Sequence, residues 1–311
     1  MARCLLRGLG TLLALLILGL NPVAADSALP ADEAEPEPSV EVSEKYRNMA
    51  QVHKGRFRMG LTFEQVGILM KWCERVDRNC VRWWYNDATP SHNVWLDEFW
   101  IDVYEVSNAE YLKFVNATGH RPAMDETCES EACWSGNLWK GNAFALEVAN
   151  QPVTQVSWYD AVAYCKWKGK RLPTEAESEK AARGPMGNLF PWGNDPPPGR
   201  ATYKRKWRGT HTMTPVGSYP SGKSVYGVHD MAGNVWEWVA DWYGQFTYED
   251  HPKWNPKGPG AGELKVIRGG SWVNFQDTLV SAFRRWSRPD VRFNDTGFRC
   301  ALDSEKTGEK K

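Results

Sequence analysis

Between Tyr46 and Leu302 the hydrophobic positions fall in short runs whose period changes every few residues. His53–Met59 (HKGRFRM) and Asn93–Asp102 (NVWLDEFWID) alternate apolar with polar residues, which predicts half-buried strands. After Val106-Ser107-Asn108 the spacing lengthens. Tyr111, Leu112, Phe114 and Val115 share a face of a predicted helix, Ala109 to Thr118, which Gly119 ends. Ser157 caps a second helix from Trp158 to Lys168, stopped by Gly169, and Thr174 opens a short third one to Ala182 with Glu177 at the reciprocal capping position. From Gly184 to Gly262 glycine and proline recur, including Pro196-Pro197-Pro198, so regular elements there are expected to be brief and the loops long. Such loops tend to carry function. Lys265–Ser271 and Leu279–Trp286 read as strands, and Gly297–Cys300 closes the domain before a polar tail, 303–311.

Composition adds a reason for this irregular pattern. The chain has 17 Trp against 11 Tyr and 11 Phe, bulky rings with one N–H each that suit a core built from loops. With 38 Lys+Arg against 38 Asp+Glu the net charge is zero, so no nucleic-acid partner is expected. Arg3 and Arg7 precede the apolar run Leu9–Leu20, and Val23-Ala24-Ala25 offers a small-residue cleavage site, so residues 1–25 read as a secretory signal peptide. That run is short for a membrane span, which needs ~20 residues, and no integral membrane domain is expected after cleavage. The expected location is periplasmic or secreted. Residues 26–45 hold seven acidic residues, three prolines and no aromatic before Tyr46, the composition of a disordered linker. Cleavage leaves six cysteines, an even count that suits disulfides in an exported protein. Cys73 with Cys80 and Cys128 with Cys133 look like local staples, leaving Cys165 and Cys300 for a long loop. Spacing alone fixes no connectivity, but it does not match a zinc knuckle.

Several segments occur in an order that resembles one family. They are YEVSNAEYLKFV from Tyr104, PVTQVSWYDAVAYCKWKGKRLPTEAE from Pro152, FPWGN from Phe190, GNVWEW from Gly233, RGGSW from Arg268 and GFRCA from Gly297. Together they resemble the formylglycine-generating enzyme, or sulfatase-modifying factor, domain over roughly Val52 to Leu302. The resemblance implies one α+β domain, 46–302, of a C-type-lectin-like variant fold, poor in regular structure and disulfide-stabilised. It also implies a Cys165–Cys300 disulfide. Authentic members bind copper(I) through two cysteines, three and eight positions beyond the serine of Gly-Gly-Ser. Counted from Ser271, those positions hold Asn274 and Leu279, neither of which offers the soft sulfur that copper(I) needs, so copper and the standard formylglycine chemistry are not expected.

The resemblance further implies a structural calcium site, with Asp230 and Glu237 ligating through side chains and Gly233 and Val235 through carbonyls, an oxygen set suited to that ion. The other reading makes Asp230 a turn residue and Glu237 the buried partner of an arginine. A groove is expected at Trp236, Ser271, Trp272 and Asn274, with Arg284, Arg285 and Arg288 downstream, a surface suited to peptide recognition. Its Trp rings could equally be core. The six histidines are scattered, although His211 and His229 could approach the groove. Two functions compete: an exported maturation factor, of oxidoreductase type, that modifies a peptide or protein substrate by other chemistry, and a non-catalytic lectin-like binding or assembly module. The standard formylglycine-generating oxidase ranks third.

Overall fold

A computed structural model describes residues 46–77, 79–124, 137–250 and 252–305. The chain opens with strands β1 (Met49–Val52) and β2 (Gly55–Met59), helix α1 (Phe63–Cys73), strands β3 (His92–Leu96) and β4 (Phe99–Asp102) and helix α2 (Asn108–Thr118). Two short strands, β5 (Trp139–Lys140) and β6 (Ala143–Phe144), precede helices α3 (Trp158–Trp167) and α4 (Glu175–Arg183). The remaining strands are β7 (Trp236–Trp242), β8 (Lys265–Arg268), β9 (Arg285–Ser287), β10 (Thr296–Gly297) and β11 (Ala301–Asp303). They form a four-stranded sheet in the order β10-β7-β8-β9, a three-stranded sheet β1-β4-β11, and the pairs β2-β3 and β5-β6. The α+β class expected from the sequence is the one observed.

The helices begin where the sequence places their caps. Ser107, Ser157 and Thr174 each accept from the backbone N–H three residues on, and Gly119 ends α2 in the left-handed region at φ 68°. Helix α1, capped by Thr62 and Gln65, has the same signature but was not foreseen. The strands differ more. The alternating run from Asn93 is two strands, broken at Asp97-Glu98, and the run from Lys265 stops at Arg268 because Gly269 and Gly270 turn at φ 98° and 75°. Only Arg285 and Trp286 of the stretch from Leu279 are extended, whereas Leu279, Val280 and Ala282 enter the core as irregular chain. The loop-rich region also contains β7, a central strand whose first four residues are all buried, so no alternation marks it.

Tryptophan N–H groups satisfy carbonyls of loops and of the irregular part of β7: Trp238 Nε1 donates to Val156 O at 3.0 Å and Trp158 Nε1 to Val239 O at 2.8 Å. Cys165 on α3 is bonded to Cys300, closing a separation of 135 residues and contributing about 5 kcal/mol in the chain-entropy model. Cys73 is bonded to Cys80. The expected Cys128–Cys133 pair lies outside the described residues, as do the expected signal peptide and linker. Among the described residues no helix is long and apolar enough to cross a membrane.

Helix α4 is buried along its whole length although it carries Glu175, Glu177, Glu179, Lys180 and Arg183. Burying charge is tolerable only where partners meet it. Glu179 accepts from Arg183 at 2.8 Å, from Gly60 N at 2.7 Å and from Arg268. Glu175 accepts from Arg284 at 2.7 and 3.1 Å. The arginines use their remaining N–H groups on loop carbonyls: Arg268 reaches Ser281, Ala282 and Phe283, and Arg284 reaches Asp87 and Gly244. The Glu179→Ala variant leaves buried Arg183 without a carboxylate and Arg268 with only Glu175 at 3.4 Å, and urea unfolding should show a loss of about 3–5 kcal/mol; a loss under about 1 kcal/mol would show that the network is not integral to the fold.

Candidate functional site

The segment 230–237 leads into β7 and is shaped by three left-handed residues, Asp230 (φ 56°), Gly233 (φ 81°) and Asn234 (φ 60°). At Gly233 a side chain would collide with Thr202 O, so glycine is required there on two counts. Asp230 Oδ2 accepts from Gly217 N at 2.6 Å. Both Glu237 oxygens accept from Arg299, each at 2.7 Å, and Arg299 also donates to the carbonyls of Asp102, Val103 and His229. Glu105 takes Asn234 Nδ2 at 2.7 Å. Three buried carboxylates, Glu105, Asp230 and Glu237, thus surround one guanidinium. Burial raises all three pKa values, and Asp230 and Glu237 push Glu105 up further.

This arrangement bears on the calcium expectation. Asp230 sits in the left-handed region and Glu237 is an arginine's partner, as the alternative reading has it, with both Glu237 oxygens taken by Arg299. The Asn234 carbonyl accepts from Trp272 N, while the Gly233 and Val235 carbonyls take no hydrogen bond of the described loops, and the carboxylates exceed the local cations in number.

The same segment supports the turn that follows β8. Gly233 N donates to Gly269 O at 2.9 Å and Trp272 N to Asn234 O at 2.9 Å, locking the 269–272 turn against 233–234. In this turn Asn274 Oδ1 accepts from Ser271 N at 2.9 Å and from Ser271 Oγ at 2.8 Å. Ser271 Oγ also lies 3.2 Å from Asp295 Oδ2, and Arg285 pairs with Asp295 at 3.1 Å. The Arg285 guanidinium stands 5.4 Å from the Trp236 ring and 4.6 Å from that of Phe293. Four predicted residues, Trp236, Ser271, Asn274 and Arg285, therefore meet. Asp295 joins them although it is not among the residues expected from the sequence.

Other expectations need correction. Trp236 and Trp272 do not line an open groove: both are buried, Trp236 in the main core and Trp272 against Met213, Val235 and Trp207. Arg284 is locked onto Glu175, and Arg288 is an exposed partner of Asp290. His229 packs on Tyr104, and its carbonyl serves Arg299, whereas His211 borders a basic concavity beside the site. Leu279, at the second cysteine position, is fully buried, with its side chain packed against Gly270. Among the described residues no group of three or more His, Cys, Asp or Glu side chains is arranged to hold a metal ion.

Comparison with known proteins accords with this architecture. The profile of the sulfatase-modifying factor enzyme 1-like domain matches residues 34–304. The chain belongs to this family. It is 35% identical to the mouse formylglycine-generating enzyme over 263 residues, 71% of this chain and 70% of that one. It is 34% identical to the formylglycine-generating enzyme of Streptomyces coelicolor over 329 aligned positions, covering 92% of this chain and 98% of that one. Among solved structures, PvdO from Pseudomonas aeruginosa superposes with a TM-score of 0.65 at 26% identity, over 82% of this chain and 94% of that one.

In this family member Arg299 is the cation that the three carboxylates share. The Arg299→Met variant should lose about 3–5 kcal/mol near neutral pH. Because the three carboxyl pKa values are raised in the folded state, their contribution to stability is present at acid pH and lost as pH rises. Removing the cation steepens that loss, so the melting temperatures of variant and wild type should converge as pH is lowered; an equal deficit at every pH would refute the shared-cation reading.

Proposed function

We propose that this chain is an exported maturation factor that recognises a peptide or protein substrate at the Ser271–Asn274–Asp295–Arg285 site and does not use a copper–thiolate centre. The observation that carries the reading is the pair Asn274 and Leu279. Asn274 turns its amide oxygen onto Ser271, and Leu279 is packed in the core, so neither position presents a soft ligand. Export is supported by the Arg3-to-Ala25 leader pattern and by the disulfides Cys73–Cys80 and Cys165–Cys300, which belong to oxidising surroundings.

The partly exposed members of the set, Asn274 and Arg285, favour recognition, while Ser271 and Asp295 are buried and hold them in place. Arg285 can share its fork between Asp295 and a peptide carbonyl or carboxylate, while Asn274 retains its amide N–H groups as donors. A second reading, a non-catalytic binding or assembly module, is favoured by one observation. Ser271 has no histidine base among its hydrogen-bond partners, and Asp295 is already held by Arg285, so no activated nucleophile is assembled there. The experiment is to incubate the purified protein with a cysteine-containing peptide, copper(I) and oxygen, and to analyse the peptide by mass spectrometry. No formylglycine is expected, and its formation at turnover would overturn the reading.

For the segment at Asp230–Glu237 the proposed occupant is calcium, held by the Asp230 and Glu237 carboxylates and the Gly233 and Val235 carbonyls, with a structural role beneath the 269–272 turn. Chelation should then lower the melting temperature, and calcium should restore it. An unchanged melting temperature would remove the ion from the account.

A further inference from the structure

Residues 204–208 read Lys-Arg-Lys-Trp-Arg in a chain of zero net charge. Lys204, Arg205, Lys206, Arg208 and His211 surround a concavity of about 530 Å³. Exposure alternates along the strip: Lys204, Lys206 and Arg208 face solvent, while Arg205 and Trp207 are half-buried. The inward residues hold it in place. Arg205 donates to Thr212 O at 2.9 Å and to Tyr219 Oη at 3.3 Å, and Trp207 packs on Trp272 at 5.7 Å. The backbone is joined to the candidate site, since Lys204 N donates to Asn274 O at 2.8 Å and Arg205 N to Trp272 O at 2.7 Å.

The outward cations are unmatched. Among the described residues Lys204, Lys206 and Arg208 make no ion pair, whereas Arg171, Arg200 and Arg288 each find a carboxylate. A local excess of positive charge beside a recognition site attracts an anionic partner and steers its approach. The strip is not a regular strand, since Lys204 bends at φ 53°, but its three outward cations follow one another along the chain, which suits an extended acidic peptide. Alternate residues of such a peptide lie on one face, roughly 6.5–7 Å apart, so acidic side chains at every second position can meet Lys204, Lys206 and Arg208 in turn. Phe275 is partly exposed, with the Lys204 ammonium 5.8 Å from its ring, and supplies apolar contact next to the charges. A nucleic acid would engage a broader basic face than one strip on a neutral protein.

We propose that the 204–211 strip docks an acidic segment of the substrate and delivers the adjoining residues to the Ser271–Asp295 site; the delivery part rests on reading that site as the recognition site. The probe is a fluorescein-labelled peptide with Glu at alternate positions and a photo-crosslinking residue beside the acidic run. Its controls are the same peptide with Gln for Glu and a single-stranded oligonucleotide of equal charge. Fluorescence anisotropy on the full chain should show binding of the Glu peptide that weakens as salt is raised, no binding of the Gln peptide, and an affinity loss of about tenfold or more in the Lys204→Gln/Lys206→Gln/Arg208→Gln variant. These side chains are exposed, and circular dichroism should show the variant folded. Docking is overturned if the variant binds as wild type, if the Gln peptide binds equally, or if the oligonucleotide binds more tightly. Cross-links within 271–295 support delivery. Salt-sensitive docking with cross-links elsewhere leaves the strip intact and refutes the recognition-site reading instead.

Discussion

Four buried arginines, Arg183, Arg268, Arg284 and Arg299, carry the structure. In a domain whose strands are few and short, many loop carbonyls have no ladder partner, and each guanidinium closes several of them while pairing a buried carboxylate. Arg183 serves Gly60, Gly187 and Asn188 as well as Glu179, and Arg299 serves Asp102, Val103 and His229 as well as Glu237. Planar forks with several donors suit this task, and lysine would leave most of these acceptors unmet. The charge that each arginine brings into the interior is tolerated because helix α4 and strand β7 place glutamates there. The fold and its ion pairs are therefore one problem with one solution.

The candidate site inherits its rigidity from this framework. Arg299 fixes Glu237 at the start of β7, the segment before it holds the Gly269–Gly270 turn, and the turn presents Ser271 and Asn274 to Asp295 and Arg285. None of these groups is an oxidant or an activated nucleophile. Together they offer hydrogen bonds and a guanidinium, which the proposed recognition role would use, with the basic strip 204–208 attached to the same turn.

Much of this was legible in the sequence, and the failures have physical causes. Caps at Ser107, Ser157 and Thr174 are local chemistry, and they marked three helices to within a residue or two. Helix α1 carries the same box at Thr62 and Gln65, so its signal was present but unread. Strand β7 was hidden because it is buried on both faces, and the stretch from Leu279 resembled a strand because core residues on irregular chain are also apolar. Ser271 stands in the motif RGGSW and Asn274 is counted from it, whereas Arg285 was expected only as an arginine downstream of that motif. Asp295 was not expected, since its role arises only when β10 lies beside β7 and brings Asp295 O to Trp236 N. Net charge concealed the basic strip, because a chain-wide sum of zero says nothing about where unmatched cations gather.

The central proposal is that the family architecture is kept while the two copper-ligand positions hold a hydrogen-bonded amide, Asn274, and a buried apolar side chain, Leu279. Elemental analysis of the purified full-length chain, after incubation with copper(I) and calcium followed by desalting, tests it directly. The account predicts calcium near one equivalent per chain and copper near background. Stoichiometric copper retained by the wild-type chain would contradict it, and would require a soft-ligand site that neither Asn274 nor Leu279 supplies.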